Sequence, residues 1–233
     1  MLARLADEEK KSGMLVAGID EAGRGCVVGP LVVAGVMVKE ENLAALVALG
    51  VKDSKLLTAK KREALLPEIL RIAKKYIVLK VTPREIDKAV ESQRKLHKLN
   101  RLEAENMGKI VTALQADVVY VDAADVLEKR FAHHIADAST FKTKIISEHK
   151  ADRNYPIVSA ASIIAKVERD RAVAALRSEF GDFGTGYLTD SKTTIFLTEW
   201  LKKHKEYPEC VRKSWKPAKQ AKSEQGTKQQ KLA

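Results

Sequence analysis

Two short apolar runs rich in β-branched residues, 14–20 and 31–38, flank the stretch Gly23-Arg24-Gly25-Cys26-Val27-Val28-Gly29-Pro30. Runs of this length and composition are strands, and a connection so rich in glycine allows backbone turns closed to other residues. The chain is thereby constrained to open on a pair of neighbouring strands. The first of them ends in the carboxylates Asp20 and Glu21, directly before the glycine-rich connection.

The rest of the chain alternates between helical and strand patterns. Thr58–Lys74 carries apolar residues near a helical period, and Tyr76–Val81 reads as a third strand. Thr82-Pro83-Arg84-Glu85 is a capping box with proline at the first helical position, and Asn100 is placed to cap a longer helix that leads into a strand at 117–122. A fifth strand covers 144–147. Helices are expected over most of 155–180 and over 194–204, with a glycine-containing loop between them. These elements predict an α/β domain with a mixed five-stranded sheet flanked by helices, followed by a C-terminal helical region. The division expected is an α/β domain over 1–190, a helical region over 191–210, and a basic tail over 211–233 too polar to order itself.

Charge points to an anionic partner. The net charge is +11, of which residues 211–233 contribute +6, so the body is only mildly basic. This leaves open both a nucleic-acid enzyme and a nucleic-acid binding module. Cys26 and Cys210 are the only cysteines and form no CxxC pair, which argues against a disulfide framework or a zinc site. The charged N-terminus and the lack of a long apolar run lead to the expectation of a soluble, cytoplasmic protein without a membrane span.

The candidate chemistry lies in acids at strand ends. Asp20 and Glu21 end one strand, Asp122 ends another, and Asp152 follows the fifth. If the strands are neighbours, several negative charges meet, and an oxygen-only ligand set of this kind suits Mg²⁺ or Mn²⁺. Consecutive strand residues face opposite ways, so Asp20 and Glu21 can share an ion only where the backbone bends. Ser159, Ser162, Lys166 and Asp170 form a polar stripe on an otherwise apolar helix, suited either to holding phosphates or, for Lys166 and Asp170, to a simple i,i+4 ion pair.

The segments Gly18-Ile19-Asp20-Glu21-Ala22-Gly23-Arg24-Gly25, Asp53-Ser54-Lys55, Val121-Asp122, His149-Lys150-Ala151-Asp152, Ser159–Asp170 and Gly186-Tyr187 together resemble ribonuclease HII, especially its archaeal form. The resemblance implies a ribonuclease H-like fold. It also implies an endonuclease that cuts the RNA strand of RNA–DNA hybrids, and 5′ of ribonucleotides embedded in duplex DNA, in replication and ribonucleotide excision repair. Asp20, Glu21, Asp122 and Asp152 would hold two divalent ions, Mg²⁺ or Mn²⁺, and the products would carry 3′-hydroxyl and 5′-phosphate ends. Gly23, Arg24 and Gly25 would read the ribose, Tyr187 would pack on the next sugar, and Lys55, Ser159 and Lys166 are candidates for phosphate contact. A rival nuclease of the same fold, such as a junction resolvase, would share the acids but have no use for ribose.

Two positions depart from the family pattern. Cys26 and Leu188 stand where proline is usual, both in loops expected to face substrate. The chain is expected to act as a monomer. Gln229-Gln230-Lys231-Leu232 resembles the start of a sliding-clamp motif but has no aromatic pair after it.

Overall fold

The computed structural model describes residues 13–51, 56–93 and 96–230, with side chains omitted for 224–230. The strands are β1 (Leu15–Ala22), β2 (Leu31–Lys39), β3 (Lys75–Val81), β4 (Val118–Asp122) and β5 (Lys144–Glu148). The helices are α1 (Leu43–Ala48), α2 (Ala59–Ile72), α3 (Pro83–Glu91), α4 (Lys98–Leu114), α5 (Glu128–Ala138), α6 (Ala151–Asn154), α7 (Pro156–Phe180), α8 (Ser191–Lys203) and α9 (Lys216–Gln230). A short 3₁₀ turn at Glu40–Asn42 precedes α1.

The strands form one mixed sheet in the order β3-β2-β1-β4-β5, the arrangement of strands and helices expected of a ribonuclease H-like fold. β1 pairs in parallel with β4, and β4 with β5, in the registers Ile19↔Val121 and Asp122↔Glu148. β2 is buried over all but its last residue, consistent with its near-continuous apolar sequence. The capping box at Thr82 forms as read, with the Thr82 N–H donating to Glu85 at 2.8 Å and the Glu85 N–H returning to Thr82 Oγ1 at 3.3 Å.

The chain divides into two compact units. The first takes its described residues from Met1–Glu21, Val33–Val78 and Glu103–Val167, the second from Ala22–Val32, Leu79–Leu102 and Glu168–Ala233. Ile19, Val36, Ile110, Val119, Phe131 and Ile163 are fully buried in the first. The second has its own apolar cluster, including Val27, Val173, Phe183, Leu197 and Val211.

The structure corrects two expectations. Asn100 is not the cap of α4, which starts at Lys98. Its side-chain oxygen instead accepts from the Arg24 guanidinium at 2.8 Å. Nor does the tail lose order at residue 211. Val211 forms a bridge with Val28, Arg212 is fully buried, and Asp87 binds the Lys213 and Ser214 N–H groups, each at 2.9 Å. From there α9 runs to Gln230 and buries Ala218. Sparse apolar residues in a polar stretch lower its mean hydropathy without preventing these specific contacts. The clamp-like segment reaches Lys231 and Leu232, which lie outside the described residues.

Candidate active site

The parallel register that ends at Ile19↔Val121 places the next pair, Asp20 and Asp122, side by side at the ends of adjacent strands. Partners in register share a face, so both carboxylates leave the sheet on the same side. Gly18, two residues before Asp20, faces that side as well. A β-carbon on Gly18 would lie 2.3 Å from the Ile157 carbonyl oxygen, so the first turn of α7 rests directly on β1. Farther along α7, Ser162 donates to Asp20. Lys166, one turn later, donates to Ser162 Oγ at 2.7 Å.

Asp20 is 4% exposed. Burial and the neighbouring charge of Asp122 push its pKa from 3.8 up to about 6, against the opposing pull of Ser162, Lys166 and the Glu21 N–H. That N–H lies 2.7 Å from the Asp20 carboxylate. Two close acids in a site with little water hold positive charge strongly, whether it arrives as a proton or as a metal cation.

Asp122 is oriented by the Ala151 N–H, 2.8 Å from its carboxylate. Asp152 follows at once in α6 and is 1% exposed. The turn into α6 is left-handed at Lys150, with φ 58°, an uncommon conformation for a residue that carries a β-carbon. Asp152 lines a cavity of about 230 Å³ together with Val47, Val51, Arg153, Asn154, Pro156 and Ser159. Glu21 is a different case. β1 continues to Ala22, so strand alternation turns Glu21 away from the face of Asp20. Among the described residues, no group of three or more His, Cys, Asp or Glu stands at metal-ligating spacing. The paired carboxylates of Asp20 and Asp122 fit a hard divalent ion; Glu21 adjoins Asp20 in the chain, and Asp152 follows Ala151, whose N–H binds Asp122.

The polar stripe on α7 is buried at Ser159 and Ser162 and only half-buried at Lys166 and Asp170. Ser159 is fully buried and donates to the Val51 carbonyl. Ser162 is also fully buried and serves Asp20. Lys55 lies outside the described residues. His149 is exposed and its backbone N–H donates to Glu128 at 2.7 Å.

The second unit holds the glycine-rich segment and Tyr187. Gly23 has φ +85°, and a β-carbon there would lie 2.7 Å from the Pro30 carbonyl oxygen, so only glycine fits. Gly25 is the glycine beside the tyrosine ring, its virtual β-carbon 3.9 Å from Tyr187. The Arg169 guanidinium lies 4.8 Å from the centre of the Tyr187 ring, and Arg169 also donates to the Thr185 carbonyl. Burial raises the Tyr187 pKa despite the adjacent arginine. Cys26 is fully buried and Leu188 is 40% exposed. Arg169 and Arg212, both buried beside these loops, were not singled out by sequence reasoning. Arg169 lies next to Asp170 in a segment already quoted, whereas Arg212 sits in a stretch whose composition pointed to disorder.

The family described as Ribonuclease HII matches residues 17–218. The ribonuclease HII of Pyrococcus abyssi is 47% identical over 208 residues, 88% of this chain and 90% of its own. That of Thermococcus onnurineus is 49% identical over 88% of this chain and 89% of its own. Among solved structures, the ribonuclease H2 of Pyrococcus horikoshii OT3 superposes with a TM-score of 0.83 at 44% identity, covering 91% of this chain and 98% of that one. The RNase HII of Archaeoglobus fulgidus, solved in a PCNA complex, gives a TM-score of 0.77 at 43% identity over 86% and 93% of the two chains. With matches of this extent over the segment that carries Asp20, Asp122 and Tyr187, the chain belongs to the ribonuclease HII family of endoribonucleases.

Proposed function

We propose that this endoribonuclease cuts the RNA strand of RNA–DNA hybrids and the 5′ side of single ribonucleotides in duplex DNA, with two divalent ions, Mg²⁺ or Mn²⁺. The observation that carries the reading is the pairing of buried Asp20 with half-buried Asp122: burial first, and the Asp122 charge second, raise the Asp20 pKa to about 6. An arrangement that costs free energy in the apoprotein is stabilised by a cation of high charge density. Asp20 and Asp122 would hold the ions, with Asp152 and Glu21 as the further ligands, Glu21 joining them only if the end of β1 bends. When bound, such ions supply an activated water and neutralise charge on the departing 3′-oxygen. Attack by water gives 3′-hydroxyl and 5′-phosphate ends.

The chain's own groups orient the acids. Ser162 and Lys166 hold Asp20 from α7, and the Ala151 N–H holds Asp122, so neither carboxylate need search for its rotamer when substrate arrives. Gly23, Arg24 and Gly25 would offer backbone groups to the ribose 2′-hydroxyl, the one group that separates RNA from DNA at a given site. Tyr187 would pack on the following deoxyribose. A clamp contact of the kind in the Archaeoglobus complex would engage the C-terminal segment Gln229-Gln230-Lys231-Leu232, which resembles the start of a sliding-clamp motif.

The test is a labelled DNA duplex carrying one ribonucleotide, incubated with and without Mg²⁺. A Mg²⁺-dependent cut on the 5′ side of the ribonucleotide is expected, and both Asp20→Asn and Asp122→Asn should abolish it without unfolding the protein. Metal-independent binding without turnover, or preferential cutting of an all-DNA junction, would refute the proposal.

A further inference from the structure

The sequence places Arg212 in a tail of scattered lysines, yet the structure buries it completely and directs its guanidinium at one loop. Arg212 Nη2 donates to the Gly23 carbonyl at 2.6 Å, Nη1 to the Arg24 carbonyl at 2.7 Å and Nε to the Gly29 carbonyl at 3.1 Å. Nη2 also lies 3.0 Å from the sulfur of Cys26, and the Cys26 thiol donates to the same Gly23 carbonyl at 3.0 Å. The backbone is joined alongside. Arg212 N–H donates to Val27 and Gly29 N–H to Cys210, each at 2.8 Å. Trp215 closes the other side, its ring centre 5.1 Å from the guanidinium carbon. A buried arginine with unsatisfied donors would be costly, but here three carbonyls of one glycine-rich segment accept from it.

These contacts have a directional consequence. A trans peptide is planar, so its N–H points opposite to its C=O. With the carbonyls of Gly23 and Arg24 drawn onto the guanidinium, the N–H groups of Arg24 and Gly25 point away from it. A cation on the carbonyl side also polarises each peptide and makes its N–H a stronger donor.

We propose that Arg212 is a positioning residue for ribonucleotide selection, fixing the Arg24 and Gly25 N–H groups in the orientation that receives a ribose oxygen, with Cys26 as the second tie on Gly23. The inference rests on the reading of Gly23–Gly25 as the ribose contact. It makes selectivity depend on the C-terminal segment, which would reach the substrate only through the loop it holds. Cys26 replaces the proline usual at its position, so in this chain part of the loop's rigidity comes from a thiol hydrogen bond in place of a ring.

The experiment measures binding in a chelator, where nothing is cut, to two duplexes that differ only in one 2′-hydroxyl, and records melting of each variant. Wild type should prefer the ribonucleotide duplex. In Arg212→Gln that preference should fall about tenfold, the effect of one or two lost oriented hydrogen bonds, with affinity for the all-DNA duplex unchanged. Arg212→Lys, which keeps the charge but cannot reach three carbonyls, should fall between. A folded Arg212→Gln variant that keeps the wild-type preference overturns the inference. If Arg212→Gln does not fold, Cys26→Ala decides, since it removes only the thiol tie: a reduced preference supports the role and an unchanged one overturns it. Wild-type protein that neither prefers nor cuts the ribonucleotide duplex would instead overturn the functional reading, whatever the variants do.

Discussion

Replacing Asp20 by Asn should make the metal-free protein more stable at neutral pH while abolishing cleavage. The folded-state pKa of Asp20 is about 6 against an ordinary value of 3.8, a displacement of about two pH units, with burial first and Asp122 second among its causes. At about 1.36 kcal/mol per unit, ionised Asp20 destabilises the fold by about 3 kcal/mol. The sign follows from proton binding. Between pH 4 and 6 the folded chain holds a proton that the unfolded chain has released, so stability falls as pH rises through that window and is level above it. Asn has nearly the same shape, can still accept from the Glu21 N–H, and does not titrate. The gain in melting temperature should therefore be small near pH 4, grow between pH 4 and 6, and reach about 6–12 °C at pH 8 for a protein of this size. Melting curves in chelator across that range provide the assay. Adding Mg²⁺ at pH 8 should raise the wild-type melting temperature and leave the Asn variant nearly unmoved. A difference independent of pH, or an Asn variant that melts lower at pH 8, would refute the electrostatic account.

Gly18→Ala should cost about 3 kcal/mol or more, because the added carbon would lie 2.3 Å from the Ile157 oxygen and 2.6 Å from the Val158 nitrogen, and α7 must move away from β1. Cleavage should fall along with melting temperature, since α7 carries Ser162 and Lys166 to Asp20, and wild-type melting in this variant would contradict the packing described. Deleting 216–233 should weaken substrate binding most at low salt and lower the slope of log affinity against log salt by about one to two, with no shift in cut position. The change is kept modest because Lys219 and Lys222 already lie 3.1 Å from Glu91 and 2.6 Å from Glu206. A moved cut site would show that α9 helps to select the scissile bond.

Much of the fold was legible because its signals are local. β-branched runs marked all five strands to within about two residues, and the Thr82 capping box identified the start of α3. What could not be read locally was partnership. Nothing in 207–222 announces a packed segment, since its few apolar residues are separated by lysines and prolines, and their burial depends on surfaces more than a hundred residues away, such as Val28 and Asp87. The α7 stripe shows the same limit in reverse. Spacing correctly put Ser159, Ser162 and Lys166 on one helix, but a hydroxyl suits a backbone carbonyl or a carboxylate as well as it suits a phosphate, and the sequence does not show that Ser159 meets the Val51 carbonyl and Ser162 the Asp20 carboxylate.

The acids show where strand periodicity stops being informative. Asp20 and Asp122 converge because a parallel register fixes their neighbours, a geometric outcome independent of charge. Glu21 and Asp152 are not held by that register. Glu21 follows the alternation of an unbroken strand, and Asp152 follows a left-handed turn at Lys150 into a one-turn helix. Gathering all four anions at one point, two of them buried, would be costly to a fold of ordinary stability without cations. The apoprotein instead brings two together, and one of these has its pKa raised to about 6. Burial of Asp20, and second its repulsion with Asp122, would both be relieved by a bound cation. It follows that the free energy lost to ionised Asp20 and the free energy gained on binding a divalent ion have a common origin, and a substitution that relieves the first must weaken the second.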